Sequence, residues 1–318
     1  MITKKWAFLA ALLLSANGVA LQAKETQPIK IDNVASFKGV DKAVIGQFSV
    51  VFLTKKVDYD GGGFLSASAK GKAVGHLVGL DNTDFQSATD AIYADFAKQM
   101  TAHGVAIVDG AGLVADKYYA KVKPEAQGNK VDIQQKKDDH ADGLAFWPTQ
   151  LGRNNNMMLT LRIMDMNMSN TYTAEYNYAR TMKVPVLNVV YYVDFAKPAT
   201  SSGGGLFQGI KVTAGLAISQ FGSQIQLMDT NGKVAKILLQ TPIEEGGDFA
   251  SIKETTSGAT KAFQVASVLG AGIFGGKAGG ASAKFDFQVT DKAAYQEKTV
   301  SAAIKANDLF LRMMEANR

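Results

Sequence analysis

Two stretches set the terms for the fold. Residues 184–195 (VPVLNVVYYVDF) are apolar on both faces of an extended chain, and residues 43–54 (AVIGQFSVVFLT) are rich in β-branched and aromatic side chains. A strand with no polar side to offer water belongs near the middle of a sheet covered on both faces. Such a sheet needs helices to cover it. The clearest candidate spans residues 81–103, where Phe85, Ala88, Ile92, Phe96 and Met100 fall on one helical face. Thr83 or Asp84 is placed to cap it, Asp84, Asp90 and Asp95 suit the positive end of the dipole, and Gly104 ends it. Residues 105–108 then read as a short buried strand, and residues 113–122 as a second helical piece ending before Pro124. Strand and helix alternate, which predicts an α/β arrangement.

Further along, residues 127–142 are polar and charge-rich and read as an exposed loop or frayed helix. Residues 143–148 (GLAFWP) return to strand character. Residues 157–168 (MMLTLRIMDMNM) partly alternate, as a half-buried strand does. Residues 201–205 (SSGGG) make a flexible loop and a candidate subdomain seam near 200–205. Beyond it, residues 210–228 and 233–240 read as strands around Asp229-Thr230-Asn231-Gly232, where Asn-Gly favours a tight hairpin. Residues 244–257 are polar, 260–269 fit helix or strand, and 270–280 are glycine-rich. Residues 284–289 (KFDFQV) alternate as a strand. A closing helix over 292–314 offers Ala303, Ala306, Phe310 and Met313 for packing. The expected fold is α/β (α+β mixed): a mixed sheet flanked by helices, with a C-terminal hairpin and a closing helix.

The start of the chain reads as an address. Lys4 and Lys5 precede an uncharged run over residues 6–14 and then Gly18-Val19-Ala20, the pattern of a secretory signal peptide. The predicted leader is residues 1–20, with cleavage no later than residue 23, and residues 21–318 form one mature α/β domain. The apolar run falls short of the roughly 20 residues that cross a bilayer. There is no cysteine, so disulfides, a thiol nucleophile, a thiolate metal site and a lipidated cysteine are all excluded. The net charge of +5 falls to about +3 without Lys4 and Lys5, and few of the basic residues are arginine. The reading is a periplasmic or secreted protein with no nucleic-acid partner and no transmembrane helix after leader removal, with peripheral membrane contact left open.

Several constellations have a chemical and a plain reading. Gly270-Ala271-Gly272-Ile273-Phe274-Gly275 matches G-x-G-x-x-G. A dinucleotide site also needs a strand before it and a helix opening within it; more glycine and a strand follow here, so a glycine-rich loop is preferred and no cofactor is expected. His76, His103 and His140 are scattered, and His140 lies in a charged run (KKDDHAD) that cannot easily converge on one ion; no metal is expected. Met157, Met158, Met164, Met166 and Met168 offer thioethers for copper(I), although Met164, Met166 and Met168 on one strand face pack a core equally well. Asp165, Asp194, Asp229 and Glu175, near predicted strand ends, are the candidates for a hydrolytic carboxylate pair, with Asp229 also a natural turn former. No nucleophile elbow or zinc-protease motif is present, and no catalytic residue is assigned. Tyr172, Tyr176, Tyr178, Tyr191 and Tyr192 supply aromatic surface for glycans, partners or sheet packing. Residues 61–80, with Gly71, Gly75 and Gly79 four apart, read as a hairpin, a flap or a membrane-contacting hairpin, as do residues 270–280.

The order of these segments supports a comparison. The AVIGQFSVVFL strand, the helix from Phe85 to Met100, GVAIVDG, a short helix, Ala141-Asp142-Gly143-Leu144-Ala145, and SQIQLMDTNGKVAKILLQ with its Leu-x-Asp-x-x-Gly-Lys-Val hairpin together resemble the periplasmic α/β domain of curli-secretion-channel-like proteins. That domain is similar to the N-terminal domain of the periplasmic Tol–Pal component. The resemblance covers most of the mature chain in outline, and it maps the family's channel hairpins to residues 64–80 and 260–289. The family's lipidated cysteine is missing, so its anchoring and pore formation are not carried over. The expected role is a non-catalytic exported envelope binding or assembly and secretion accessory protein, with an envelope protein or a second copy as partner. The alternatives are an exported hydrolase using a carboxylate pair, or a small-ligand or glycan binder.

Overall fold

The computed structural model describes residues 28–60, 71–122, 126–134, 140–152, 166–196, 200–202, 209–256 and 282–318. The expected leader, residues 270–280 and the tip of the 61–80 segment lie outside them. Among the described residues, thirteen strands form one mixed sheet. Its main path runs β1 (Ile29–Asp32), β12 (Val234–Leu239), β11 (Gln224–Met228), β7 (Val186–Ala196), β2 (Lys42–Asp60), β3 (Gly71–Val78), β15 (Ser282–Val289) and β14 (Ala250–Glu254). The two apolar runs occupy the centre: β2 and β7 pair in parallel from Val44 with Val186 to Phe52 with Val193. The register shifts between Ile45 and Gln47, a bulge containing Gly46.

Four helices cover the sheet: α1 (Asn82–Ala102), α2 (Ala111–Val114), α3 (Met166–Met182) and α4 (Lys292–Ala316). The long helices α1 and α4 share one face, where aromatic rings interlock. Phe48 meets Tyr93 and Phe96 of α1, and Tyr191 stacks on Phe310 of α4. The α1 cap is Asp81, not Thr83 or Asp84; its carboxylate accepts from the Thr83 and Asp84 amides while Asp84 bonds back to the Asp81 amide. The opposite face carries α3 over Val44, Val186 and Met228.

Other expectations need correction. Within residues 127–142, residues 129–134 and 140–142 are strand rather than loop or frayed helix: β5 (Asn129–Gln134) and β6 (His140–Phe146) pair antiparallel beside β2. As the outer strand, β5 alternates, with Ile133 buried and Asp132 exposed, so its polarity is that of a half-wet strand. The expected strand over 157–168 lies outside the described residues as far as 165, and Met166 to Met168 open a helix. The second helical piece shrinks to α2 and a 3-10 turn over Tyr119–Lys121, because Asp116 accepts from the Tyr118 amide and bends the chain between them. β4 (Ala106–Val108) is exposed to half-buried, and Val105 before it takes the core position. Residues 210–228 divide into β9 (Gly209–Lys211), which pairs β8 (Thr200–Ser202), then β10 (Ala214–Ile218) and β11. β10 pairs with β7 and with β13 (Ile243–Glu244), so strands on either side of residues 200–205 share one sheet.

Candidate functional site

Beyond the helix-covered centre, the sheet continues as two hairpin stems laid side by side. β2 turns back through β3, and β14 turns back through β15. The inner strands, β3 and β15, pair in parallel from Ser282 with Lys72 to Gln288 with Val78, so both hairpins point the same way. Gly75 makes the join possible: a Cβ there would lie 2.9 Å from the Phe287 ring. Each inner strand feeds a helix, β3 into α1 and β15 into α4. Lys292 of α4 ties the pair together, reaching Asp84 at 2.6 Å and Asp81 at 3.2 Å. Its proton is held more firmly by those carboxylates, Asp84 foremost. The Asp81 carboxyl is lowered to about 2, first by the Thr83 hydroxyl, then by Lys292 and the Asp84 amide.

The stems place a row of charges in direct register across five strands: Asp142, Lys55, His76, Asp286 and Lys253. Residues opposite one another in a sheet share a face, so this is one stripe of acidic and basic side chains. Lys55 meets Asp142 at 2.9 Å, and His76 lies 3.7 Å from Asp286, all four more than a third exposed. β14 ends the path. Among the described residues no further strand pairs with it; Ser251 to Glu254 are exposed, and Ile252 is 38% exposed on the opposite face. A sheet edge with free backbone groups is a template for another extended chain. Sequence reading passed over this strand because its residues are polar.

A second feature lies on the α3 face. In register across β2, β7, β11, β12 and β1 stand Gln47, Asn188, Gln226, Lys236 and Asp32. The next row includes Ser49, Val190, Gln224 and Leu238. Gln47, Ser49, Asn188, Gln224 and Gln226 are all buried. The Gln47 carboxamide donates to the Ser49 hydroxyl, and the Asn188 Nδ2 donates to Glu175 of α3 at 2.9 Å. Gly46 is the reason these groups fit. A Cβ on it would come within 2.6 Å of Asn188 Oδ1 and 2.7 Å of Glu175 Oε1.

Among the described residues, Asp194 lies far from the other sequence-predicted carboxylates. Asp194 is held by Lys56 at 2.6 Å, with both side chains mostly buried. Asp229 is spent on its turn, accepting from the Asn231 and Lys233 amides and the Ser36 hydroxyl. It follows Met228, which pairs with Val186 at the opposite end of β7 from Asp194, about 25 Å away at roughly 3.3 Å per residue. Asn188, the partner of Glu175, sits six residues along β7 from Asp194, about 20 Å by the same rise. Asp165 lies outside the described residues.

The histidines are apart as well. His103 contacts Glu315 at 2.7 Å, His76 faces Asp286, and His140 begins β6. Among the described residues no cluster of three or more His, Asp or Glu forms a metal site. Met157, Met158 and Met164 lie outside those residues, while Met166 and Met168 belong to helix α3 rather than to a strand. Tyr172, Tyr176 and Tyr178 belong to α3, not to a sheet. Tyr172 stacks on Tyr176, and Arg180 donates to the Tyr176 hydroxyl. Tyr191 and Tyr192 are core residues of β7, and burial pushes the Tyr192 phenol up to about 12.

Among the described residues, no helix is long and apolar enough to cross a membrane. Comparison of the chain with protein-family models, with curated proteins and with solved structures finds no match.

Proposed function

We infer that this chain is a non-catalytic exported envelope protein that acts by binding another protein during assembly or secretion. The observation that carries this reading is the open β14 edge at the end of two parallel-joined hairpins. Its backbone can accept an added strand, and the neighbouring charge stripe can fix that strand's register. The resemblance to curli-secretion-channel-like domains supports the same role, since it maps that family's hairpins to residues 64–80 and 260–289, the segments containing β3 and β15. The distance of Asp194 from both Asp229 and Glu175, and the commitment of Asp229 to its turn, support binding over carboxylate-pair hydrolysis.

The test is site-specific photo-crosslinking in intact cells from position 253 on β14, with position 305 on α4 as control. One defined adduct from position 253 is expected, lost when Ile252→Glu places a charge beside the docked strand. Because Ile252 is exposed, that change should leave stability within about 0.5 kcal/mol. Equal adducts from both positions, or an adduct indifferent to Ile252→Glu, would remove β14 as the docking edge.

A further inference from the structure

The amides on the α3 face are unusual for central strands. Gln224 and Gln226 are 6% and 9% exposed, in positions where β-branched or aromatic residues usually pack. Asn188, beside Gln226 in register, is 1% exposed, and its Oδ1 has no hydrogen-bond partner among the described residues. The same holds for the fully buried Thr171 hydroxyl of α3, one helical turn from Glu175. Neither the Gln224 nor the Gln226 carboxamide bonds another described residue. A buried polar group left unpaired costs about 1–3 kcal/mol, and such violations in natural proteins concentrate at functional sites.

The row that holds Asn188 and Gln226 opens toward the sheet margin. Along the Asn188 row, exposure rises from buried at β7, through Gln226, to half-buried Lys236 and Asp32 at the sheet margin. The row is therefore a polar strip that leads from buried Asn188 toward the β12 side of the sheet. Lys236 and Asp32 face each other in register at the mouth, and Lys30 lies 3.0 Å from Asp32, so positive and negative charge alternate there. Half-buried Leu238, beside Gln224 in register, adds an apolar surface.

We propose that this strip is a binding site for a small neutral hydroxyl-rich molecule, a sugar or polyol, held by the carboxamides of Asn188, Gln224 and Gln226. Each carboxamide presents a donor and an acceptor side by side, as a hydroxyl group requires of its neighbours. Leu238 can take the C–H face of a ring. A mouth of alternating charge gives no preference to a charged ligand. The site is independent of the β14 edge and stands or falls separately from protein binding.

The test uses the full chain with glucose, N-acetylglucosamine, trehalose and sorbitol, followed by calorimetry and by the side-chain amide NMR resonances of Gln224 and Gln226. The variants Gln224→Leu and Gln226→Leu keep side-chain volume and remove hydrogen bonding. At least one probe is expected to bind saturably and shift both amide pairs, and each Leu variant should weaken it about tenfold or more. Melting temperatures of the variants should stay level or rise, because each variant removes one buried unpaired amide. Three results overturn the proposal: no binding of any probe, binding unaffected by either variant, or a fall in melting temperature in both, which would make the amides structural.

Discussion

The two faces of the central sheet follow opposite rules. Toward α1 and α4, strands β2, β7 and β11 present Phe48, Val50, Phe52, Leu187, Val189, Tyr191, Ile225 and Leu227, all buried in one hydrophobic cluster. Toward α3, the same three strands mix Val186, Val190 and Met228 with the polar Gln47, Ser49, Asn188, Gln224 and Gln226. The alternation within QIQLM makes the contrast within a single strand. One face is packed as rings and methyl groups fill space; the other keeps hydrogen-bonding capacity inside the protein. Stability and binding are divided between them, and a single change on either side should reveal which it serves.

The largest loss is expected on the aromatic face. Phe310 is fully buried and stacks on Tyr191 at a 6.0 Å centroid separation, so Phe310→Ala should destabilise by about 3–5 kcal/mol in urea unfolding. A loss below 1 kcal/mol would mean that α4 does not anchor this face. Next is Gly46→Ala at the bulge, where the added methyl meets the Asn188 and Glu175 oxygens. Overpacking of this kind costs about 1–3 kcal/mol, and the same variant should displace the Asn188 side-chain amide resonance. A neutral outcome would show that α3 rides loosely on its face.

The smallest effect concerns pH and the hairpin junction. The folded Asp81 carboxyl sits near 2 against an ordinary 3.8, so it stabilises the fold fully above 3.8, and that contribution is lost as pH falls from 3.8 toward 2. Asp81→Asn should lower the melting temperature at neutral pH, with the gap to the parent closing across that window. A gap constant from pH 7 to pH 2 would mean that the charge on Asp81 contributes nothing.

Much of this architecture was readable beforehand where periodicity was strong. β2 announced itself by its β-branched and aromatic residues, β7 by being apolar on both faces, α1 and α4 by helical spacing, and the β11–β12 hairpin by Asn231-Gly232. The failures have a common cause. The inward stripe of α3 is Thr171, Ala174, Glu175, Tyr178 and Ala179, too polar and too small to register as an apolar face. β5 and β14 are outer strands whose polarity imitates loops. The candidate sites were less legible still, because both depend on register. Nothing in the sequence says that Gln226 lies beside Asn188, or that Lys55, His76 and Asp286 form one stripe, until strands distant in the chain are paired.

The parallel join of β3 to β15 also has a kinetic consequence. It pairs Lys72 with Ser282, so the hairpin platform cannot close until two segments about 210 residues apart are both available. Pairings this distant in sequence bear a large loop-closure entropy before any contact offsets it, which slows folding. The centre can form earlier from β2, β7 and β11, leaving the β14 edge among the last parts to be built. The surface proposed to meet a partner would then come into existence only after these distant segments have met.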